Sequence, residues 1–415
     1  MKILFMLGAY KPRASANGLC ASNVIEHLKH QGHTVTVLAN HSLGCDLHET
    51  ENGMDVYRVK QRLSLRLKEY SAVYADRRPI RSKLASGLAA VINKLQLFIM
   101  SPVWPIVSPG TIRRFKKAAI ALQKQHHFDA VVSVYTPVEA LLAGYEIKKA
   151  FPQVKYIPYF LDSLSGGYGP RYFSQARIIN RGLKIERRVF AQADFIAAMK
   201  SSQEHQKKYN SEFGEKLVFL DIPMLTQAET LPNIKMPKQP CKFLFVGSIS
   251  RNIRDPKTLI DALSCMDNQD IVCEFVGNID CVEAFSGLKQ IMGERLIFTG
   301  YIHHDQLAEK IAEANVLLNV GNLISTMVPS KIFEYMSYLK PIISTYDIEN
   351  EPSAKYLSQY PLALLLSGQD KPADNAQKIA EFLVNIQGKQ VDYETLEAQF
   401  YLNTPKAFVE ELEKR

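Results

Sequence analysis

Two series of short, continuous apolar runs, each run followed by a helical stretch, limit what this chain can fold into. The first series occupies 3–7, 35–38, 56–59, 130–134, 156–161, 195–198 and 218–220. A polar, Pro-bearing stretch follows, and the second series takes up 243–246, 273–276, 296–298, 316–319, 342–345 and 362–366. Strands that are apolar throughout, rather than at alternate positions, are covered on both faces, and the helices between them supply the cover. Parallel sheets follow. A chain of 415 residues also exceeds a typical single core. The expected class is therefore α/β, with two Rossmann-like domains facing a central cleft. The expected boundaries are 1–225, a linker 226–240, a second domain 241–392, and a helical tail 393–415 that packs back on the first domain.

Hydrophobic residues at 47% and charged residues at 22% place the chain among soluble globular proteins. Its six cysteines have irregular spacing with no C-x-x-C, so a reduced compartment is expected, with neither a disulfide framework nor a zinc site. The apolar start 1–8 is too short for a signal peptide and reads as the first strand. A cytoplasmic location is expected.

The net charge of +8 is concentrated. Residues 60–117 hold 13 Lys and Arg against Glu69 and Asp76, so this stretch carries +11 and the remainder −3. Such an excess points to a polyanionic partner. The basic run Arg77, Arg78, Arg81, Lys83 precedes a long apolar segment that ends near Trp104, the only tryptophan. Asn93, Lys94 and Gln96 interrupt that segment, so a transmembrane span is not expected. Residues 77–117 suit peripheral attachment to an anionic membrane, here the inner face of the plasma membrane. The other reading is an internal helix pair with a solvated basic face. Nucleic acid is not expected, because no recognition motif accompanies the charge.

Ligands of open α/β sheets bind beyond the carboxyl ends of the strands, so the residues after each strand are the candidates. After the first strand, a small-residue loop with Asn17 and Gly18 opens a helix, either approaching a ligand or simply connecting two elements. After 156–161 stands Asp162, followed by Gly166 and Gly167, which reads equally as an active-site acid or a cap. In the second half, Gly247 and Ser248 lead to Arg251 and Arg254 beside a helix start. That suits a diphosphate, because a guanidinium donates paired hydrogen bonds. The stretch 328–343 reads as a loop with Pro329 and Ser330, a helix over 331–339 ended by Pro341, and a strand. It sets Ser330, Lys331 and Glu334 near one helix start, where free N–H groups favour an anion. A capped surface helix whose Lys and Glu face water fits the spacing as well.

Taken in order, these elements resemble retaining glycosyltransferases of family 4, on the GT-B fold. Gly32-His-Thr-Val-Thr-Val-Leu38 is similar to that family's GHxVxVxT strand, and Ala193-Asp194-Phe-Ile to its ADxIIxxS element. Phe243-Leu-Phe-Val-Gly247 resembles the opening of its second domain, Phe298-Thr-Gly300 its F-x-G element, and Ala314-Asn-Val-Leu-Leu318 its ADVxLxP. Ser330-Lys-Ile-Phe-Glu334-Tyr-Met-Ser-Tyr-Leu-Lys340-Pro341 resembles its donor motif.

The resemblance implies transfer of a sugar from a nucleoside diphosphate sugar, with retained configuration, to a glycan or polyprenyl-linked acceptor in surface-polysaccharide synthesis. No metal or further cofactor is implied. It implies Arg254 and Lys331 as ligands of the diphosphate, Glu334 on the ribose, and the backbone of Tyr301 and Ile302 at the base. Asn17 and Gly18 would lie near the sugar, with Asp162 near the catalytic acid position. Two positions depart from the pattern. Thr326 stands where the first glutamate of the E-x7-E motif is usual, which implies an altered sugar preference. Ser248 replaces the usual arginine, so the basic role passes to Arg251 or Arg254. A nucleotide-sugar epimerase on the same fold, or a non-catalytic nucleotide-sugar-binding relative, remains the alternative.

Overall fold

The structure is a computed structural model that describes all residues except 76, 168, 171, 228–239, 267–269, 301, 303 and 325–327, and the side chains of 304 and 305. The chain forms two compact units. Unit 1 comprises Met1–Pro223 and Leu402–Arg415, and unit 2 comprises Met224–Tyr401. Most of the stretch expected as a linker, 228–239, lies outside the described residues.

Unit 1 is built on eight strands: β1 (Lys2–Met6), β2 (Thr34–Asn40), β3 (His48–Glu51), β4 (Met54–Val59), β5 (Ala130–Tyr135), β6 (Lys155–Phe160), β7 (Ile196–Met199) and β8 (Leu217–Leu220). They lie in the order β3-β4-β2-β1-β5-β6-β7-β8. All pair in parallel except β3 with β4. The sheet is buried between helices, as in the cluster of Leu4, Met6, Phe115, Leu141, Tyr156 and Phe190. The sequence gives no warning of β3. Its segment His-Glu-Thr-Glu is polar and half exposed, and it is held as an edge by pairing rather than by burial. The buried guanidinium of Arg58 on β4 pairs with Glu49 there and donates to the carbonyl of Lys11 at 3.1 Å.

Unit 2 carries β9 (Cys241–Ile249), β10 (Ile271–Ile279), β11 (Leu296–Gly300), β12 (Val316–Val320), β13 (Ile342–Tyr346) and β14 (Ala363–Ser367), all parallel in the order β11-β10-β9-β12-β13-β14. Phe245, Phe275, Phe285 and Phe298 stack through its core, with centroids 4.9–5.7 Å apart around Phe275. Backbones approach closely where Gly277 pairs with Gly247. A Cβ on Gly277 would stand 1.9 Å from the Gly247 carbonyl oxygen, and its φ of +125° already excludes an ordinary side chain.

Three features differ from the sequence expectation or add to it. The helix expected over 331–339 spans Lys331–Ser337, because Leu339 adopts a left-handed φ of 53° and closes the turn before Pro341 is reached. The helix Pro79–Val103 is, by length and composition, apolar enough to cross a membrane despite Asn93, Lys94 and Gln96. Finally, the helix Pro405–Lys414 lies on the unit 1 sheet, where Phe408 is buried against Tyr159 at 4.7 Å, Phe5 at 6.3 Å and Phe195 at 6.4 Å.

The strands that Phe408 touches are the middle of the sheet, so its loss leaves a cavity that rigid strands cannot collapse. Phe408→Ala should lower the stability of unit 1 by about 3–5 kcal/mol, read as an earlier unfolding transition in urea.

Candidate functional site

In each unit the central candidate residues lie at the point where strand order reverses, outside the carboxyl ends of the central strands. In unit 1 that point lies between β1 and β5. Helix Ala16–His30 begins after β1, with the Ser15 hydroxyl accepting from Gly18 N–H at its start. Asn17, in the first turn, donates from Nδ2 to the Tyr135 carbonyl at the end of β5 (3.2 Å) and to Asp162 Oδ2 beyond β6 (2.8 Å). The fold thus joins Asn17 and Asp162, 145 residues apart, by one hydrogen bond. Asp162 is exposed and its charge reaches buried neighbours. Burial pushes the Cys20 thiol up to about 12, and Asp162 adds to that shift. Gly18 is buried, with the Ala9 carbonyl oxygen 2.1 Å from where a Cβ would stand, so it admits close packing of the preceding loop.

The loop after Asp162 is pinned from below. Ser165 N–H and Oγ donate to buried Glu186 at 2.8 and 2.7 Å. Asn210 donates to the same carboxylate at 2.9 Å, and His205 Nε2 meets Ser165 Oγ at 2.7 Å. Burial lowers the His205 pKa. Beside this loop a pocket of about 220 Å³ is lined by Arg62, Trp104, Tyr135, Glu139 and Leu164 among others. Arg62 Nε and Nη1 are buried there without a hydrogen-bond partner among the described residues. Burial pushes the Arg62 pKa down and that of Glu139 up, while each charge acts on the other in the opposite sense. Arg62 and Glu139 carried no signal in the sequence, because neither stands in a motif or directly at a strand end.

In unit 2 the reversal lies between β9 and β12. Arg254 spans it. Its Nη1 donates to the Ser248 carbonyl on β9 (3.1 Å) and its Nε to Asn322 Oδ1 beyond β12 (2.8 Å). Asn322 N–H in turn donates to Glu351 Oε1 at 2.9 Å, and the other Glu351 oxygen caps the helix Pro352–Leu357. Half-buried Arg254 is pulled down in pKa by burial, opposed by Tyr335 and Glu351. Gly247 has φ +148°, and the Arg254 guanidinium lies 3.6 Å from where its Cβ would be. Arg251 is exposed in the adjoining turn, away from these bonds.

The helix Lys331–Ser337 reaches the same place through Tyr335. Its buried phenol accepts from Val246 N–H at 2.8 Å and donates to the Val246 carbonyl at 3.3 Å. Lys331 Nζ contacts Glu334 Oε2 at 2.7 Å, with both side chains only partly exposed, so the pair is not simply a solvated face. Ser330 stands at the N-cap, but its hydroxyl makes no capping bond. Ile302 is half-buried just past β11, and Tyr301 and Thr326 lie outside the described residues. Asn322, Tyr335 and Glu351 are the residues the sequence reading passed over. Tyr335 stands inside the quoted motif, and the other two are ordinary polar residues until folded. Lys340, at the end of the same stretch, is buried. Its ammonium donates to the Ala312 carbonyl at 2.6 Å and to the Ala314 carbonyl, and burial lowers its pKa to about 8.

Residues 240–385 match the family described as Glycosyl transferases group 1. No curated protein matches the chain. Among solved structures, a glycosyltransferase from Rickettsia africae superposes with TM-score 0.61 at 13% identity, over 100% of this chain and 97% of the other. The lipopolysaccharide outer core galactosyltransferase WaaB aligns with TM-score 0.53 at 15% identity, over 100% and 99% of the two chains. HepE of Anabaena, solved in complex with UDP, gives TM-score 0.52 at 14% identity over 100% of each. The fold is GT-B, and the match to the group 1 glycosyltransferases lies within the second unit.

Two changes test this arrangement. Tyr335→Phe leaves the buried Val246 N–H without its acceptor and should cost about 1–3 kcal/mol, seen as a lower urea midpoint for unit 2. Lys340 has a folded pKa below its unfolded value, so the unfolded state binds more protons between about 8 and 10.5. The lysine's contribution therefore rises with pH across that window and is lost as pH falls through about 8. Relative to Lys340→Met, the wild-type protein should gain stability on that climb, measured by paired melts at stepped pH.

Proposed function

We propose that this protein is a retaining glycosyltransferase, of hexosyltransferase type within family 4, that moves a sugar from a nucleoside diphosphate sugar to a glycan or polyprenyl-linked acceptor. The observation that carries the reading is Arg254 bridging β9 and Asn322 at the switch point of a group 1 glycosyltransferase domain, with the Lys331–Glu334 pair tied to the same strand end by Tyr335. During transfer the bond from the anomeric carbon to the diphosphate breaks and a bond to the acceptor hydroxyl forms. Negative charge grows on the departing oxygens. A guanidinium already oriented by two hydrogen bonds and a lysine on a fixed helix stabilise that charge without reorganising. Glu334 orients Lys331 and accepts from ribose hydroxyls.

Gly247 leaves space for the diphosphate against Arg254, and Ser330 and Arg251 are the further polar groups near it. The backbone of Ile302 and Tyr301 is assigned to the base, and Thr326 to sugar choice. In unit 1, Asp162, held by Asn17, orients the acceptor hydroxyl, whose proton passes to the departing diphosphate as the new bond forms on the same face of the sugar, and the Trp104 pocket receives the acceptor. A surface-polysaccharide role and a cytoplasmic place at the inner face of the membrane complete the proposal. WaaB, an outer core galactosyltransferase on the same fold, and six free cysteines support them.

Calorimetric titration with UDP-, GDP- and CDP-sugars should find one donor that binds, and NMR of the product should find the donor's anomeric configuration kept. Turnover of the donor without acceptor would instead indicate an epimerase, and binding without any turnover a non-catalytic protein. Lys331→Ala and Asp162→Asn should each lower kcat by about 10²–10³. Lys331→Ala should also weaken donor binding, whereas Asp162→Asn should leave it intact.

A further inference from the structure

The helix Pro79–Met100 is inside out for a domain of this kind. Its buried residues are Ser82, Ala85 and Ala89, all small. Its large apolar side chains face away: Ile80 is 76% exposed, Leu84 69%, Val91 63% and Phe98 71%, with Leu88, Leu95 and Ile99 alongside. At 100° per residue these seven fall within a sector of about 100°, so they form one continuous stripe along roughly 29 Å of helix. A soluble domain has no reason to hold such a stripe in water.

What flanks the stripe identifies the partner. Arg81 lies at one margin and Lys83 and Lys94 at the other, all exposed, and the helix contains no acidic residue. Arg77 and Arg78 precede it, and Arg113, Arg114 and Lys117 are exposed on the following helix, Pro109–His126. An apolar stripe between basic margins matches the boundary between acyl chains and anionic headgroups. A second copy of this chain would bring like charges against like charges.

Both ends of the helix are tied to unit 1, which decides between lying on a bilayer and crossing it. Near the start, Ser82 Oγ donates to the Ser71 carbonyl in the helix Leu63–Val73 at 2.7 Å, and that helix is held in turn by Glu69, which accepts from Leu43 N–H at 2.8 Å. Near the end, Arg181 donates to the Ser101 carbonyl at 2.5 Å and Gln96 to the Val107 carbonyl at 3.0 Å. A span would carry one end across the bilayer and break one of these sets.

We infer that Pro79–Val103 is a docking surface for an anionic lipid bilayer, lying in the plane of the membrane with Ile80, Leu84, Leu88, Val91, Leu95 and Phe98 among the acyl chains. The inference stands apart from the proposed reaction, because binding to vesicles requires no donor or acceptor. Full-length protein should float with phosphatidylcholine vesicles containing phosphatidylglycerol, and at least tenfold less with phosphatidylcholine alone. Leu84→Gln, Val91→Gln and Phe98→Gln combined should reduce flotation at least tenfold with an unchanged thermal melt. Arg81→Gln, Lys83→Gln and Lys94→Gln combined should abolish the preference for the anionic lipid. Should the stripe variant destabilise the fold, the charge variant decides alone. Undiminished flotation of either variant overturns the inference. So does a wild-type dimer that ignores vesicles and dissociates when the stripe is changed.

Discussion

The phenol of Tyr335, hydrogen-bonded to both backbone groups of Val246, fixes the geometry of the donor-side site. It joins the helix that carries Lys331 and Glu334 to the strand whose end carries Gly247, and Arg254 is bonded to that same strand end. Because the phenol is fully buried, either partner left alone would face desolvation without compensation. The pairing therefore holds a cationic side chain and a carboxylate in place before any ligand arrives. Arg254, Asn322 and Glu351 continue that scaffold across the switch point to the next helix.

Unit 1 solves the same problem with different chemistry. Asn17 links the helix after β1 to the ends of β5 and β6, and buried Glu186 holds the loop that follows Asp162. The helix Pro405–Lys414 supports that sheet, with Phe408 against Phe5 and Tyr159. The segment 63–103 departs from this pattern, presenting a row of large apolar side chains to the surface.

The strand series was legible because buried parallel strands must be apolar on both faces, which leaves continuous runs in the sequence. β3 was not, because a polar edge strand is defined by its partner and not by its own composition. At the site, the i,i+3 spacing of Lys331 and Glu334 already implied proximity, and the structure makes it a 2.7 Å ion pair. Asn322 and Glu351 were invisible, since their roles arise from contacts with residues 68 and 29 positions away. Pro341 is the terminator visible in the sequence, but the left-handed Leu339 ends the motif helix before it.

By itself, the sequence determined the α/β class, the two strand series and the concentration of positive charge between residues 60 and 117, all of which follow from local composition and period. Tertiary structure alone decided which polar groups meet at the two switch points, and that Ser82, Ala85 and Ala89, not the large apolar residues, face inward on Pro79–Met100. The reason is physical. Hydrophobic period shows that a helix has two faces, but which face is covered depends on what the rest of the chain places beside it.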